Sequence, residues 1–144
     1  MRYLLDTNIC VYIINRKPSA VIERFRQMVL GEVGVSSITA AELAFGVAKS
    51  GSARNRTALE KFLAPLEILP LGSDAIWVYG DIRSALERSG TPIGALDTLI
   101  AAHALSAKLT LVTNHLKEFQ RVAGLRCENW VGPGRLQAGE GGTR

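Results

Sequence analysis

Along most of its length the chain alternates short apolar runs of strand length with segments of helical period. Residues 2–5, 33–36, 68–69, 109–112 and 126–129 read as five short strands, the last at an edge. Helical patterning covers about residues 9–30, with a break near Lys17-Pro18, then 39–49, 54–63, 73–89, 97–107 and 116–122. Residues 90–94 read as a loop from their Gly and Pro content. Strands that alternate with helices imply βαβ units. The expected fold is therefore α/β, a single domain with a parallel sheet of about five strands flanked by helices. In such sheets ligands lie beyond the carboxyl ends of the strands, at the switch point of the topology.

A chain of 144 residues has the size of one domain. No apolar run approaches the ~20 residues that span a bilayer, so a membrane role has no support. The N-terminus meets Asp6 too early to serve as a signal peptide. Cys10 and Cys127 are far apart and read as free thiols of a reducing compartment, so a cytoplasmic location is expected. The domain is expected over residues 1–131. Residues 132–144, with five glycines and one proline, are expected to form a flexible tail.

The acids mark where chemistry would sit. There are four aspartates, Asp6, Asp74, Asp81 and Asp97. Asp6 follows the first strand. Glu42 lies in the first turn of the helix after the second strand, and Asp97 opens the most apolar helix. Asn114 and Glu118 follow the fourth strand. Three carboxylates and a fourth candidate thus fall at one rim of the sheet. Each also has a structural explanation. Asp6 suits an Asx-turn through Thr7 and Asn8. Thr39-Ala40-Ala41-Glu42 matches a capping box. Asp97 suits the start of a helix, and Glu118 a helix surface. Asp74 and Asp81 read as a helix-start acid and a solvent-facing acid.

Convergence favours function over these local readings. Packed carboxylates raise one another's pKa, and burial against Leu4-Leu5, Leu43 and Leu99-Ile100 adds to the cost. A divalent cation relieves it, and oxygen donors suit Mg²⁺, with Mn²⁺ as the alternative. His103 and His115 are too few and too separated to suggest zinc, and His103 reads as a packed or partly exposed helix residue. The net charge of +4 fits an anionic partner. Its cations gather in two stretches, Arg16, Lys17, Arg24 and Arg26, then Lys49, Arg54, Arg56 and Lys61. They read either as solvated helix faces or as a grip on an anionic partner such as RNA or DNA.

Four segments carry a family resemblance: Leu5-Asp6-Thr7-Asn8-Ile9-Cys10, Ser36-Ser37-Ile38-Thr39-Ala40-Ala41-Glu42-Leu43-Ala44-Phe45-Gly46, Pro92-Ile93-Gly94-Ala95-Leu96-Asp97-Thr98-Leu99-Ile100-Ala101-Ala102-His103-Ala104, and Leu111-Val112-Thr113-Asn114-His115-Leu116-Lys117-Glu118-Phe119. In this order, over about residues 1–131, the chain resembles the PIN-domain toxins of the VapC type, most closely the branch of initiator-tRNA endonucleases. The resemblance implies a metal-dependent endoribonuclease toxin that hydrolyses RNA phosphodiesters, in the anticodon loop of initiator tRNA. It implies an acidic pocket holding Mg²⁺, with Asp6 and Asp97 as metal ligands. Glu42 would bind the metal through water or orient the nucleophile. Thr113 and Asn114 would fix carboxylates or touch the phosphate. It also implies a homodimer, a cognate antitoxin that blocks the pocket, and operator DNA reached only through the antitoxin.

This chain departs from the family pattern in three places. Asn114 stands where many PIN domains carry a fourth aspartate, and Glu118 is the candidate substitute. His115 and Ala102 also differ from the residues expected in this branch. Two rival readings stand beside this one. A non-catalytic RNA- or protein-binding module on the same fold would have no need of Asp6, Glu42 and Asp97 together. A receiver-type domain needs further acids beside the first strand and a lysine at the far end of the sheet, but here Asp6 is followed by Thr7-Asn8 and no lysine directly follows Thr113.

Overall fold

The computed structural model describes residues 1–131. Five strands, β1 (Tyr3–Leu5), β2 (Val33–Ser36), β3 (Glu67–Leu69), β4 (Thr110–Val112) and β5 (Cys127–Glu128), form one sheet in the order β3-β2-β1-β4-β5. Every neighbouring pair is parallel. Seven helices connect and flank them: α1 (Thr7–Ile14), α2 (Ser19–Arg26), α3 (Ser37–Ser50), α4 (Ala53–Leu63), α5 (Asp74–Arg88), α6 (Ala95–Ser106) and α7 (Leu116–Phe119). This is the expected α/β sheet, with β5 on an edge. The expected tail, residues 132–144, lies outside the described residues.

Both faces of the sheet are covered, so successive strand residues alternate between two cores. Tyr3, Leu5, Val33, Val35 and Val112 enter the core beneath α1 to α4, where Trp130 packs edge-on to Tyr3 with ring centroids 5.6 Å apart. Leu4 and Leu111 enter the opposite core, with Ile82, Leu86, Ile100 and Phe119 from α5, α6 and α7. Gly34 points to the second face without a side chain. A Cβ there would lie 2.7 Å from Met1 Sδ and 2.8 Å from the Glu67 carbonyl oxygen. Any larger residue would push β3 off the ladder.

The local punctuation departs from expectation in two places. α3 starts two residues earlier than its apolar pattern implies, because Ser36 is its N-cap and its Oγ accepts from the Ile38 amide at 3.1 Å. Thr39 is thus inside the helix, buried, with a hydroxyl that has no hydrogen-bond partner. The capping box through Glu42 does not form, which leaves that carboxylate free for another role. Likewise α6 begins at Ala95 after Gly94, so Asp97 is a first-turn residue and not a cap. Ser73 precedes α5 as expected but makes no side-chain capping bond. Both cysteines are free, and burial pushes the Cys10 thiol well up and that of Cys127 up to about 12, so neither is reactive. No helix among the described residues is long and apolar enough to cross a membrane.

Candidate active site

The order β2-β1-β4 makes β1 the strand from which the chain first winds one way, to β2, and later returns on the other side, to β4. The switch point is the crevice beyond the carboxyl ends of β1 and β4. Asp6 is the first residue past β1. Its amide donates to the Val112 carbonyl at 3.0 Å, so it continues the β1–β4 ladder by one step. Its Oδ1 accepts from the Ile9 amide at 2.9 Å and caps α1. The local capping reading is therefore correct and incomplete, because the same carboxylate is 4% exposed in the crevice.

Three other elements bring acids to this place. α3 leaves directly from β2 and presents Glu42. α6 begins at the same rim and presents Asp97 from its first turn. α7 follows β4 and presents Glu118. The groups sense one another. Burial pushes Asp6 up to about 6, aided by the charge of Asp97 and opposed by hydrogen bonds from the Thr113 hydroxyl and the Ile9 amide and by His115. Asp97 is raised by its own burial, then by Glu42 and Glu118, with His115 again opposing. Asp97 is thus repelled by Glu42 and Glu118 and in turn raises Asp6.

Neighbouring polar groups hold the acids in place. The Thr7 hydroxyl donates to Glu42 Oε1 at 2.6 Å and ties α1 to α3. Thr113 is fully buried, faces Asp6, and accepts from the His115 amide at 2.9 Å. His115 bridges the rim, since its Nε2 is hydrogen-bonded to the Asn8 amide and its Nδ1 lies 3.6 Å from Glu118. Asn114 looks elsewhere. Its Nδ2 donates to the Tyr12 hydroxyl and its Oδ1 accepts from Asn129, each at 3.2 Å, so it joins α1 to the end of β5 and bonds none of the carboxylates.

Sequence reasoning passed over Thr7, Asn8 and His115 as site residues. Thr7 and Asn8 adjoin Asp6, and His115 is the second residue after Thr113. Their position past the ends of β1 and β4 was the available signal. His103 sits in the core as a packed residue, with its Nδ1 2.7 Å from Ser36 Oγ.

The donors at the rim are all carboxylate or hydroxyl oxygens, apart from His115. Among the described residues no three His, Cys, Asp or Glu side chains are gathered at ligand spacing. A hydrated Mg²⁺ needs only one or two carboxylates and keeps several waters. Burial of Asp6 beside the charge of Asp97 supplies the electrostatic demand for a cation.

The cations divide into two groups. Arg24 is committed to the fold: it donates to Glu128 Oε1 at 2.6 Å and stacks 5.2 Å from the Trp130 ring. Arg16, Arg26 and Lys61 come together on a cavity of about 440 Å³ between α1, α2 and α4.

Residues 3–125 match the PIN domain family. The chain is 43% identical to "Ribonuclease VapC2" of Rickettsia felis over 132 residues, which span 90% of this chain and 98% of that protein. It is 42% identical to the "tRNA(fMet)-specific endonuclease VapC" of Shigella flexneri over 131 residues, with 90% and 98% covered. Its structure resembles VapBC2 of Rickettsia felis bound to a promoter DNA fragment, with a TM-score of 0.85 at 42% identity over 90% of this chain and 99% of the other. Sheet order, acid placement and these likenesses agree, and the chain belongs to the PIN-domain family, in its VapC group.

Proposed function

We propose that this chain is a divalent-metal-dependent endoribonuclease, the toxin of a toxin–antitoxin pair, cutting tRNA(fMet) within its anticodon loop. The observation that carries the chemistry is the buried Asp6, pushed up to about 6 at the switch point beside Asp97, which Glu42 and Glu118 raise in turn. A buried carboxylate beside another acid is costly in any role that lacks a cation. The substrate reading rests on the Shigella flexneri relative's name and its 42% identity.

Asp6 and Asp97 would hold Mg²⁺, with Mn²⁺ as a substitute. When bound, the cation lowers the pKa of water and offsets charge on the phosphoryl oxygens. Glu42, fixed by Thr7, orients the attacking water and accepts its proton. Thr113 holds Asp6 in place, while Glu118 with His115 closes the rim in place of the family's fourth aspartate. Asn114 acts at one remove, by fixing the end of β4 against Tyr12. Arg16, Arg26 and Lys61 hold the RNA backbone. A splayed loop suits this shallow rim, because its bases are free to leave the stack.

The similar Rickettsia felis structure is of VapBC2 bound to a DNA fragment from its promoter. By that likeness a cognate antitoxin covers the acid rim and carries the pair to operator DNA. A homodimer is supported by exposed Phe45, Ile76, Trp77 and Leu96, of which Trp77 is 79% exposed.

The deciding experiment is cleavage of total tRNA by purified protein with Mg²⁺, beside EDTA and Asp97→Asn controls. Discrete fragments lost in both controls are expected, and end-mapping then names the target. Intact RNA from folded, antitoxin-free protein would move the assignment to a binding module.

A further inference from the structure

A second cavity, of about 340 Å³, opens between α1, α3 and α4. Thr7 and Glu42 line it, so the 2.6 Å bond between them is a wall that it shares with the acid site. Its other walls are apolar, with Val11, Leu43 and Val47 among them, and Asn15 and Asn55 also line it, the Asn55 side-chain amide donating to Ser50 Oγ at 3.3 Å. No lysine or arginine lines it. Ile14 and Ala58 border both this cavity and the basic one that holds Arg16, Arg26 and Lys61. A largely apolar chamber without a cation therefore lies between the acidic rim, with which it shares Glu42, and a cationic one.

Gly46, in the middle of α3, also lines the cavity. Glycine is the poorest helix former after proline. Packing within this chain gives no reason for it, because a Cβ built at residue 46 meets nothing within 4 Å. Gly46 is exposed and leaves open space beside the cavity.

We infer that this cavity is a nucleobase subsite: it takes one unstacked base of the RNA adjoining the scissile phosphate, with the base face over Gly46 and its edge at the Asn15 and Asn55 amides. The inference rests on the ribonuclease reading. Charge decides the class of ligand. A phosphate would meet Glu42 with no cation to balance it, whereas a base is neutral and flat and carries edge donors and acceptors that an amide matches. Apolar walls with a few placed polar groups are the composition of a small-ligand site. The shared wall puts the base one nucleotide step from the acids, with the next phosphates free to reach the basic cavity.

The test combines a substrate change with a protein change. Abasic nucleotides are placed singly at the positions flanking the cleavage site mapped with wild-type protein. Gly46→Leu, which places a side chain in the cavity one helical turn after Glu42, is checked for folding by its melting temperature, and an unchanged kcat shows that Glu42 is undisturbed. One abasic position is expected to raise the wild-type KM about tenfold at nearly constant kcat, the effect of losing one well-held base. Gly46→Leu should raise KM on intact RNA by a similar factor and lose its sensitivity to that abasic position. If Gly46→Leu does not fold, the abasic series on wild-type protein decides alone. Cleavage indifferent to every abasic position overturns the subsite and leaves the nuclease standing. So does a Gly46→Leu protein that cuts normally yet binds its antitoxin more weakly, which would assign the cavity to the protein partner. Intact RNA with wild-type protein overturns the ribonuclease reading and the subsite with it.

Discussion

Thr7 and Glu42, 35 residues apart in the chain, share a hydrogen bond of 2.6 Å. It joins the first turn of α1 to the second turn of α3, and so sets where the Glu42 carboxylate points relative to Asp6. Replacing Thr7 with Val keeps the shape and removes the donor. The expected result is about a tenfold fall in kcat, the size of one hydrogen bond to a charged group. Thr7→Ser should restore the rate, and KM and melting temperature should change little. Steady-state cleavage of the mapped RNA checks this. An equal loss in Thr7→Ser would assign the effect to packing.

Asp6 makes the metal-free protein sensitive to pH. Its folded value of about 6 lies above its ordinary 3.8. Its contribution to stability is thus full below about 4 and is lost as the pH rises through about 6. The size of the shift corresponds to ~3 kcal/mol at neutral pH. His103 works the other way: burial lowers it from 6.5, so its contribution is lost as the pH falls. Comparison of wild type with Asp6→Asn isolates Asp6. In EDTA, the variant's melting temperature should exceed that of wild type at pH 7.5, and the gap should close by pH 4. Mg²⁺ should stabilise wild type most at the higher pH and leave the variant nearly unchanged.

His103 and Ser36 link α6 to the start of α3 inside the core, 2.7 Å apart and both buried. His103→Leu leaves the Ser36 hydroxyl with only the Ile38 amide as partner and should cost ~2 kcal/mol. Ser36→Ala should cost a similar amount through the lost cap. Because the two share one bond, the double variant should cost less than the sum, which chemical denaturation would reveal. Strict additivity would show that the pair is not coupled.

Arg24 and Arg26 lie two residues apart in sequence and serve different ends. Arg24→Ala should lower stability by about 1 kcal/mol, since it removes a partly exposed ion pair from Glu128, which keeps its bond from Trp130, and uncovers the Trp130 ring, and leave RNA affinity nearly intact. Arg26→Ala should leave stability alone and weaken RNA binding, with the salt dependence reduced by about one ion. Binding of RNA to the Asp97→Asn protein across a salt series separates the two. The reverse pattern would place the RNA path on the β5 side.

The periodicity of the chain determined most of the fold. Apolar strands such as Tyr3–Leu5 and Val33–Ser36 can be buried on both faces only in a covered parallel sheet, and the helix patterns between them supply the cover. Asp6 and Asp97 were legible too, because a strand end and a helix start are local features that a parallel sheet must bring to one edge. The tertiary structure alone decided how the remaining groups divide. Glu42 looked like half of a capping box until Ser36 took the cap and Thr7, far off in sequence, took the carboxylate. Asn114 sat where an acid is usual, yet its amide turned to Tyr12 and Asn129, while His115 reached Asn8 and Glu118. Arg24 was lost to Trp130 and Arg26 was not. Backbone pattern is set by neighbours within a few residues. The partner of a polar side chain is set by whichever group the folded chain brings within 3 Å, and no local pattern contains that information.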